Sequence, residues 1–199
     1  QSDFSIFRSA VAGGGKVKGI CAPGCAAYTR SQLDELNRLV QEHGAKGLVT
    51  ISLGTSAGSL NDLTLEMVKS VAAKFLTLDQ IKQIAERLGA SMGDLLLIIA
   101  DKPELASAAL GELREEMGRR LKLVDPNLFA FAFILDYPLF ERNEEAGRWE
   151  SMHHPFTMPK DDDVPLLDTA PQKVRAKHYD MVCNGCEVAG GSLRIYTSH

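Results

Sequence analysis

"DLLLIIA", residues 94–100, is an uninterrupted apolar run of strand length. The sequence on either side of it predicts the elements that flank it. A run of this kind is typical of a buried strand. A helix is predicted before it, because Thr77 and Gln80 have capping-box spacing and the apolar residues that follow recur at helical intervals. A second helix is predicted after it, from Pro103 at a first-turn position to about residue 121.

Further helices and strands are predicted upstream of this run. Thr29 has the same capping-box spacing with the glutamine three residues later, ahead of a helical pattern that ends at a glycine. β-Branched and apolar residues predict strands over 17–21 and 47–53. One more helix is predicted over 59–76. The first part of the chain is therefore interpreted as an α/β module in which helices and strands alternate.

After residue 122 the pattern changes to antiparallel strands. The predicted segments are an aromatic strand over 128–141, a polar turn over 142–148, a returning strand over 149–159 and a short helix over 172–180. The predicted fold class is α+β, with a first domain over 1–120 and part of an antiparallel sheet over 121–199.

The bulk composition limits the classes of partner. The chain has 199 residues, of which 45% are hydrophobic and 24% charged, and a formal net charge of −4. These values are ordinary for a folded domain and provide no electrostatic footprint for nucleic acid, so any RNA contact must be local or made by other segments. No apolar run has the length of a transmembrane helix, and the first residues lack the pattern of a signal peptide. We expect a cytoplasmic protein with no membrane partner. The absence of an initial Met fits an excised fragment as well as it fits a processed protein.

Four cysteines form two spaced pairs, Cys21 with Cys25 and Cys183 with Cys186. Four thiolates could hold a structural zinc, and four reduced, partly buried thiols are the alternative. The pairs lie far apart in the sequence and lack the flanking pattern of a zinc knuckle, so we expect no zinc.

The segment "YDMVCNGCEVAGGSLRIY", residues 179–196, places three charges within a strand-like pattern. Asp180, Glu187 and Arg194 follow one another at intervals of seven residues. On one regular strand, neighbours in this series would face opposite sides. The intervening Asn-Gly step is predicted to be a bulge or a turn, and one extra residue there would put both carboxylates on one face. The same reasoning applies to the glutamate and the arginine across the Gly-Gly step.

The chemistry of these three side chains suits a charged ligand. Two carboxylates on one face suit Mg²⁺, which prefers oxygen ligands and often bridges to phosphates. An arginine beyond them suits a carboxylate, which its planar fork grips with two hydrogen bonds. Such a site would serve a nucleotide and an acidic small molecule. The alternative is a surface hairpin with solvated charges and turn glycines.

A histidine pair lies on the predicted returning strand. His153 and His154 are adjacent, so at most one of them faces a given site if the strand is regular. The alternative is one core or surface histidine beside an incidental neighbour.

Several blocks of the sequence together resemble bacterial-type aspartyl-tRNA synthetase, a class II aminoacyl-tRNA ligase. The blocks are "TRSQLDELNRLVQEHGAKGLVTISL", "FAFILDYPLFE", "MHHPFTMP" and "HYDMVCNGCEVAGGSLRIY". The resemblance covers nearly the whole chain. It implies that residues 1–120 form a GAD domain, which is an insertion within the catalytic domain. It also implies that residues 121–199 are part of a class II catalytic domain that lacks motifs 1, 2 and 3.

The resemblance implies binding roles for residues in the last two blocks. The implied aspartate-binding residues are His153, Ser192 and Arg194, the implied ATP-binding residues are Glu187 and Gly191, and the implied Mg²⁺ ligands are Asp180 and Glu187. No residue of the chain is assigned as catalytic. Three positions depart from the family pattern and concern the fine shape of the pocket: Cys186 before the glutamate, Ala189 at the first of three glycines, and Tyr196 at a usual histidine.

Two functions from different classes remain open. The first is part of an aspartate–tRNA ligase that activates L-aspartate with ATP and transfers it to tRNA(Asp), with tRNA(Asn) as an open second acceptor and a homodimer as the expected parent. The isolated chain is then expected to be inactive, because the ATP-binding arginines of motifs 2 and 3 are absent. The second is a free-standing GAD-type module that binds tRNA or a partner protein. Motif 2 upstream and motif 3 downstream in the reading frame would decide for the ligase.

Overall fold

Two units make up the chain. The computed structural model describes residues 3–54 and 58–196, and the chain divides into Gln1–Val124 and Asp125–His199. The assignment of residues 1–120 and 121–199 to two named domains stays a prediction. None of the helices in the described ranges is long and apolar enough to cross a membrane.

The first unit contains four α-helices and four strands within its described residues. In chain order they are α1 (Ser5–Ala12), β1 (Lys16–Ala22), α2 (Arg30–Glu42), β2 (Val49–Leu53), β3 (Val68–Lys69), α3 (Leu78–Arg87), β4 (Leu95–Asp101) and α4 (Pro103–Arg120). The strands form one sheet in the order β1-β4-β2-β3. Each paired neighbour in this sheet is antiparallel. The α+β class is confirmed. Helices and strands alternate along the chain, but β4 lies between β1 and β2 in the sheet and is antiparallel to both.

The central strand β4 explains why residues 94–100 are apolar without interruption. Leu95, Leu97 and Ile99 pack with residues of α2 and α4, on one face of the sheet. Leu96 and Ile98 pack with residues of α1 and α3, on the other face. Successive strand residues point to opposite faces, so a strand covered by helices on both sides needs apolar residues at every position. Full burial of a Leu or Ile side chain contributes about 1.5–3 kcal/mol.

Both predicted capping boxes are confirmed. At α2 the Gln32 amide donates to Thr29 Oγ1 at 3.4 Å, and the Thr29 amide donates to Gln32 Oε1 at 2.9 Å. At α3 the Gln80 amide donates to Thr77 Oγ1 at 3.2 Å, and the Thr77 amide donates to Gln80 Oε1 at 2.9 Å. These bonds satisfy helix-terminal N–H groups that have no partner within the helix.

The helix predicted over 59–76 is wrong. The segment contains the short 3-10 turns Leu60–Asp62, Leu65–Met67 and Ala72–Lys74, with β3 between the second and the third. Ser70 anchors the segment to the sheet, because its hydroxyl donates to the Thr50 carbonyl at 2.6 Å. Pairing with β2 and this side-chain bond therefore override the helical pattern. The sequence pattern also missed helix α1.

The second unit is built from antiparallel strands around a small core. Its described strands are β5 (Phe131–Ile134), β6 (Phe140–Asn143), β7 (Arg148–Ser151), β8 (His178–Cys183) and β9 (Cys186–Ser192), with 3-10 turns at Asp161–Leu166 and Pro171–Lys173. Strands β5, β8 and β9 form one sheet, and β6 and β7 form a separate hairpin. Leu139, Val174 and Ala176 form the buried core. The identification of this sheet as part of a class II catalytic domain stays a prediction.

Three predicted elements of the second unit are wrong, and one of them is the returning strand over 149–159, which ends at Ser151 of β7. The strand over 128–141 is divided into β5 and β6, because the chain turns at Asp136, whose φ is +62°. The helix over 172–180 is one 3-10 turn followed by the start of β8. The amide of Ala176 donates to the Tyr137 carbonyl at 2.7 Å, so backbone bonds to a distant segment replace helical ones.

Candidate functional site

Two cavities of the structure are candidate sites. The larger, of about 1190 Å³, lies in the first unit between α1 and α3 and is open and largely apolar, with Phe75 and Val11 on its wall. The smaller, of about 430 Å³, lies in the second unit. The predicted site residues all line the smaller one: His153, Asp180, Glu187, Gly191, Ser192 and Arg194. The smaller cavity is therefore the candidate site for a charged ligand.

The β8–β9 hairpin brings the two carboxylates to one face. Asn184 and Gly185 form its two-residue turn, with φ of +50° and +85°, as the common two-residue hairpin turn requires. The turn pairs Val182 with Glu187, and Asp180 lies two residues before Val182, so the acids share a face. The Asn-Gly step was predicted to be a bulge or a turn, and the structure shows that it is the turn between two strands.

A bulge in β9 brings Arg194 to the same face. Met181 pairs with Ala189 and Val182 with Glu187, so Val188 is an extra residue in β9. The shift places Ser192 opposite His178, and the alternation then brings Arg194 to the face of Ser192. An extra residue was predicted at Gly190-Gly191, and that position is wrong. Its predicted effect, a common face for the glutamate and the arginine, agrees with the cavity lining.

Gly190 is the point at which both carboxylates converge. A Cβ at this residue would lie 2.6 Å from Asp180 Oδ1 and 3.2 Å from Glu187 Oε1. Only a residue without a side chain leaves this space open. Two carboxylate oxygens within 3.2 Å of one point are an arrangement that suits a bound cation.

Asp180 is held from two sides. The Tyr137 hydroxyl donates to Asp180 Oδ2 at 2.6 Å, and His178 Nε2 lies 3.1 Å from Asp180 Oδ1. The pKa of Tyr137 is raised to about 12. The hydrogen bond to Asp180 is the main cause, and burial and the charges of Asp180 and Glu187 are further causes. The phenol therefore stays protonated and remains a donor to the carboxylate at neutral pH.

The two adjacent histidines lie beyond β7, in a turn rather than on the returning strand. Both line the cavity, so the prediction that at most one faces a given site is wrong. His154 is fixed locally, because its Nδ1 accepts from the Phe156 amide at 3.1 Å. The His153 ring stacks on the His178 ring, with 4.3 Å between centroids and 10° between planes. Tyr137 meets both rings edge-on at 4.9 and 5.0 Å.

Arg194 is exposed at the cavity and contacts no carboxylate within ion-pair distance among the described residues. Its backbone is held in place, because Arg194 forms an antiparallel bridge with Thr157. The amide of Ile195 donates to the Phe156 carbonyl at 2.9 Å, which anchors the same segment. A positioned guanidinium without an internal partner can grip an external carboxylate.

Within residues 3–54 and 58–196, no group of three or more His, Cys, Asp or Glu side chains is arranged to hold a metal by itself. Cys183 and Cys186 flank the hairpin turn, whereas Cys21 and Cys25 lie in the first unit. Burial raises the pKa of the Cys21 thiol to about 12, with the Asp94 carboxylate as a further cause. The absence of zinc stays a prediction.

Sequence reasoning missed two residues of this cavity wall, Thr157 and His178, and one supporting residue behind it, Tyr137. His154 and Gly190 also line the wall, and the sequence had singled out the residue pairs to which they belong without assigning either of them a role. One signal was available for His178, because a residue two positions before Asp180 on a strand shares its face. No local signal identified Tyr137, which is separated from Asp180 by 43 positions. Thr157 Oγ1 and His178 Nδ1 are buried and lack a hydrogen-bond partner within the described part of the chain.

Comparison with known proteins identifies the first unit. The model of the GAD domain matches residues 7–110, which is more than half of the chain. The chain belongs to the GAD domain family.

Curated relatives extend this GAD domain match to the rest of the chain. An aspartate–tRNA(Asp/Asn) ligase of Dehalococcoides mccartyi is 53% identical over 196 residues, which is 98% of this chain and 33% of the relative. Ligases of the same name from Heliobacterium modesticaldum and Moorella thermoacetica are 50% and 48% identical, over 98% and 97% of this chain and 30% of each relative. The resemblance to aspartyl-tRNA synthetases is thus confirmed, and this GAD-containing chain spans about a third of the length of these relatives.

Proposed function

We propose that this chain is part of an aspartate–tRNA ligase, in which the second unit forms one wall of the site that activates L-aspartate with ATP. One observation carries the proposal: Arg194, which has no carboxylate partner among the described residues, lines one cavity with Asp180 and Glu187. The name of the curated relatives supports the same reaction, and it supports tRNA(Asp) and tRNA(Asn) as acceptors.

Arg194 suits the amino-acid end of this site. A guanidinium presents a planar fork that a carboxylate meets with two parallel hydrogen bonds. Asparagine has the same shape as aspartate, but its NH₂ group would face a donor, so one of the two bonds would be lost. In this proposal His153 and Ser192, which line the same cavity, complete the aspartate pocket.

Asp180 and Glu187 suit the nucleotide end. Both turn an oxygen toward the space above Gly190, and Mg²⁺ prefers such ligands. The Tyr137 hydroxyl and His178 Nε2 take up two acceptor positions of Asp180, and a carboxylate has about four, so Asp180 keeps capacity for a metal. Mg²⁺ held by these acids would neutralise charge on the ATP phosphates. Gly191 lines the same cavity, and in this proposal its backbone meets the nucleotide.

The reaction also needs groups that this chain does not supply. The class II motif arginines that bind the ATP phosphates are not found in the sequence. We therefore propose that the isolated chain does not form aspartyl-adenylate, and that the activity belongs to a longer protein. The homodimeric state of that protein and its cytoplasmic location stay predictions.

Aspartate-dependent exchange of pyrophosphate into ATP tests the proposal on the full-length protein. Arg194→Leu should weaken adenylate formation by at least ~3 kcal/mol, roughly 100-fold, through the Michaelis constant for aspartate, because the substrate carboxylate loses its partner. The Michaelis constant for ATP should change little. Glu187→Gln should show the opposite pattern and affect ATP and Mg²⁺ dependence first.

Arg148→Leu is the matched control, because this arginine lies on β7, pairs with Glu150 and does not line the cavity. It should leave both Michaelis constants unchanged. Aspartate kinetics near wild type in Arg194→Leu, or an effect on ATP alone, would contradict the assignment of Arg194.

A free-standing binding module is the second candidate, and the GAD domain match over residues 7–110 fits it as well as it fits the ligase. A reading frame without motif 2 upstream and motif 3 downstream would support this candidate. The purified full-length protein would then show no pyrophosphate exchange.

A further inference from the structure

His178 lies between the two ends of the proposed site. Its side chain is only 15% exposed, and it contacts Asp180 through a nitrogen atom and His153 through its ring face. Tyr137 meets the His178 ring edge-on at 5.0 Å and closes the cluster on a third side. The ring therefore has little freedom to turn without breaking one of these contacts.

The nitrogen contact acts on the nucleotide end. His178 Nε2 lies 3.1 Å from Asp180 Oδ1, while the Tyr137 hydroxyl donates to Oδ2 of the same carboxylate. With a proton on Nε2 the imidazole attracts the carboxylate, so both oxygens of Asp180 are restrained. Groups that orient a metal-binding carboxylate in this way commonly change metal affinity or activity by about 10- to 100-fold when removed.

The ring face acts on the amino-acid end. His153 is itself exposed, and it is not on a regular strand, so its orientation depends on its neighbours. The parallel stack on His178, at 4.3 Å, is one such neighbour, and the Tyr137 edge at 4.9 Å is another. Aromatic pair contacts of this type correspond to about a 2- to 10-fold effect on an equilibrium.

We infer that His178 is a positioning residue that links the two ends of the site, holding Asp180 for the metal and nucleotide through Nε2 and holding His153 for aspartate through its ring face. The inference rests on the proposed function. Because the two contacts use different parts of the imidazole, two substitutions separate them.

His178→Phe keeps a ring that can stack on His153 but removes the nitrogen that contacts Asp180. His178→Gln keeps an amide N–H donor near the position of Nε2 but removes the ring. Tyr137→Phe removes the hydroxyl donor to Asp180 and keeps the ring edge. His43→Phe is the matched control, because His43 lies in the first unit and outside the cavity.

Two binding measurements on the full-length ligase read the two contacts separately. Calorimetry without ATP and Mg²⁺ gives the aspartate Kd, and Mg²⁺ titration of ATP binding gives the half-saturating Mg²⁺ concentration. His178→Phe should raise the Mg²⁺ concentration about 10- to 100-fold and leave the aspartate Kd within about twofold. His178→Gln should raise the aspartate Kd about 2- to 10-fold and largely keep the Mg²⁺ response.

Tyr137→Phe should follow the pattern of His178→Phe, and it tests the Asp180 contact independently if that variant does not fold. Equal patterns in the Phe and Gln variants, or no change in either, would overturn the inference. Wild-type protein that binds no aspartate would instead refute the proposed function, so the two failures are distinguishable. A response of His43→Phe similar to that of His178→Phe would also overturn the inference.

Discussion

Gly190→Ala is the substitution whose effect can be worked out most directly from the structure. The added methyl group would lie 2.6 Å from Asp180 Oδ1, which is 0.8 Å shorter than the 3.4 Å at which ordinary van der Waals contact begins. Glu187 Oε1, at 3.2 Å, belongs to an exposed side chain and can yield. The Asp180 carboxylate cannot yield freely, because Tyr137 and His178 hold it.

The magnitude follows from the contacts that Asp180 would lose. A displacement of 0.8 Å extends the 3.1 Å contact with His178 and misaligns the 2.6 Å hydrogen bond from Tyr137. A hydrogen bond to a charged group contributes about 1.5–3 kcal/mol, and 1.4 kcal/mol corresponds to a factor of about ten. We expect the half-saturating Mg²⁺ concentration for ATP-dependent exchange to rise roughly 30-fold in Gly190→Ala. The Michaelis constant for aspartate should change less, because Arg194 and His153 are not displaced.

Pyrophosphate exchange by the full-length ligase, measured over a range of Mg²⁺ concentrations, provides the test. Gly111→Ala is the control, because it makes the same chemical change on α4, where the added methyl group meets nothing within 4 Å. The control should have wild-type kinetics. A Mg²⁺ response of Gly190→Ala within about twofold of wild type would refute the argument that the convergence above Gly190 positions the carboxylates.

Three other predictions concern stability and metal content. Thr29→Ala should lower the free energy of unfolding of the first unit by about 1 kcal/mol in urea denaturation, because α2 loses its N-terminal cap; an unchanged midpoint would contradict this. Arg175 beside Asp163 holds the pKa of that carboxyl down at about 2, below its ordinary 3.8. The stabilisation is therefore fully present above about pH 4 and is lost as the pH falls through 2, so Asp163→Asn should lower the melting temperature at pH 7 and have little effect near pH 2. Metal analysis of protein purified without added zinc should find far less than one equivalent of zinc. One equivalent of zinc that is lost in Cys183→Ser would contradict the prediction that the cysteines hold no zinc.

Local sequence signals were sufficient to predict most helices and strands of the first unit. The two capping boxes begin with Thr29 and Thr77, and each acts within a single helical turn, so their meaning does not depend on distant residues. The apolar run over 94–100 was also sufficient to predict a buried strand, because a strand that is buried on both faces carries apolar side chains on both. The segment over 59–76 could not be predicted in this way, since its conformation depends on pairing with β2 and on the bond from Ser70 to Thr50.

The candidate site likewise has a part that the sequence predicts, the residue types, and a part that it does not fully predict, their arrangement. The residue types at Asp180, Glu187 and Arg194 indicated a charged ligand, because carboxylates and a guanidinium have a chemistry that is independent of the fold. How these side chains come to share a face was predicted only in part: the Asn-Gly step was predicted as a bulge or a turn, and the second extra residue was predicted at Gly190-Gly191 instead of Val188. A turn at Asn184-Gly185 and an extra residue at Val188 achieve it, and only the strand pairing distinguishes a turn from a bulge.

The sequence by itself determined the α+β class, the capped helices, the buried central strand and the chemical identity of the residues that now line one cavity. Tertiary structure alone decided that β4 is inserted between two strands that are connected through α2. It also decided that Tyr137 and His178 support Asp180, and that His153 stacks on His178. The physical reason is the separation along the chain over which each interaction acts. Capping and burial patterns depend on residues a few positions apart, whereas strand register and the contacts that support a side chain join residues that are distant in the chain.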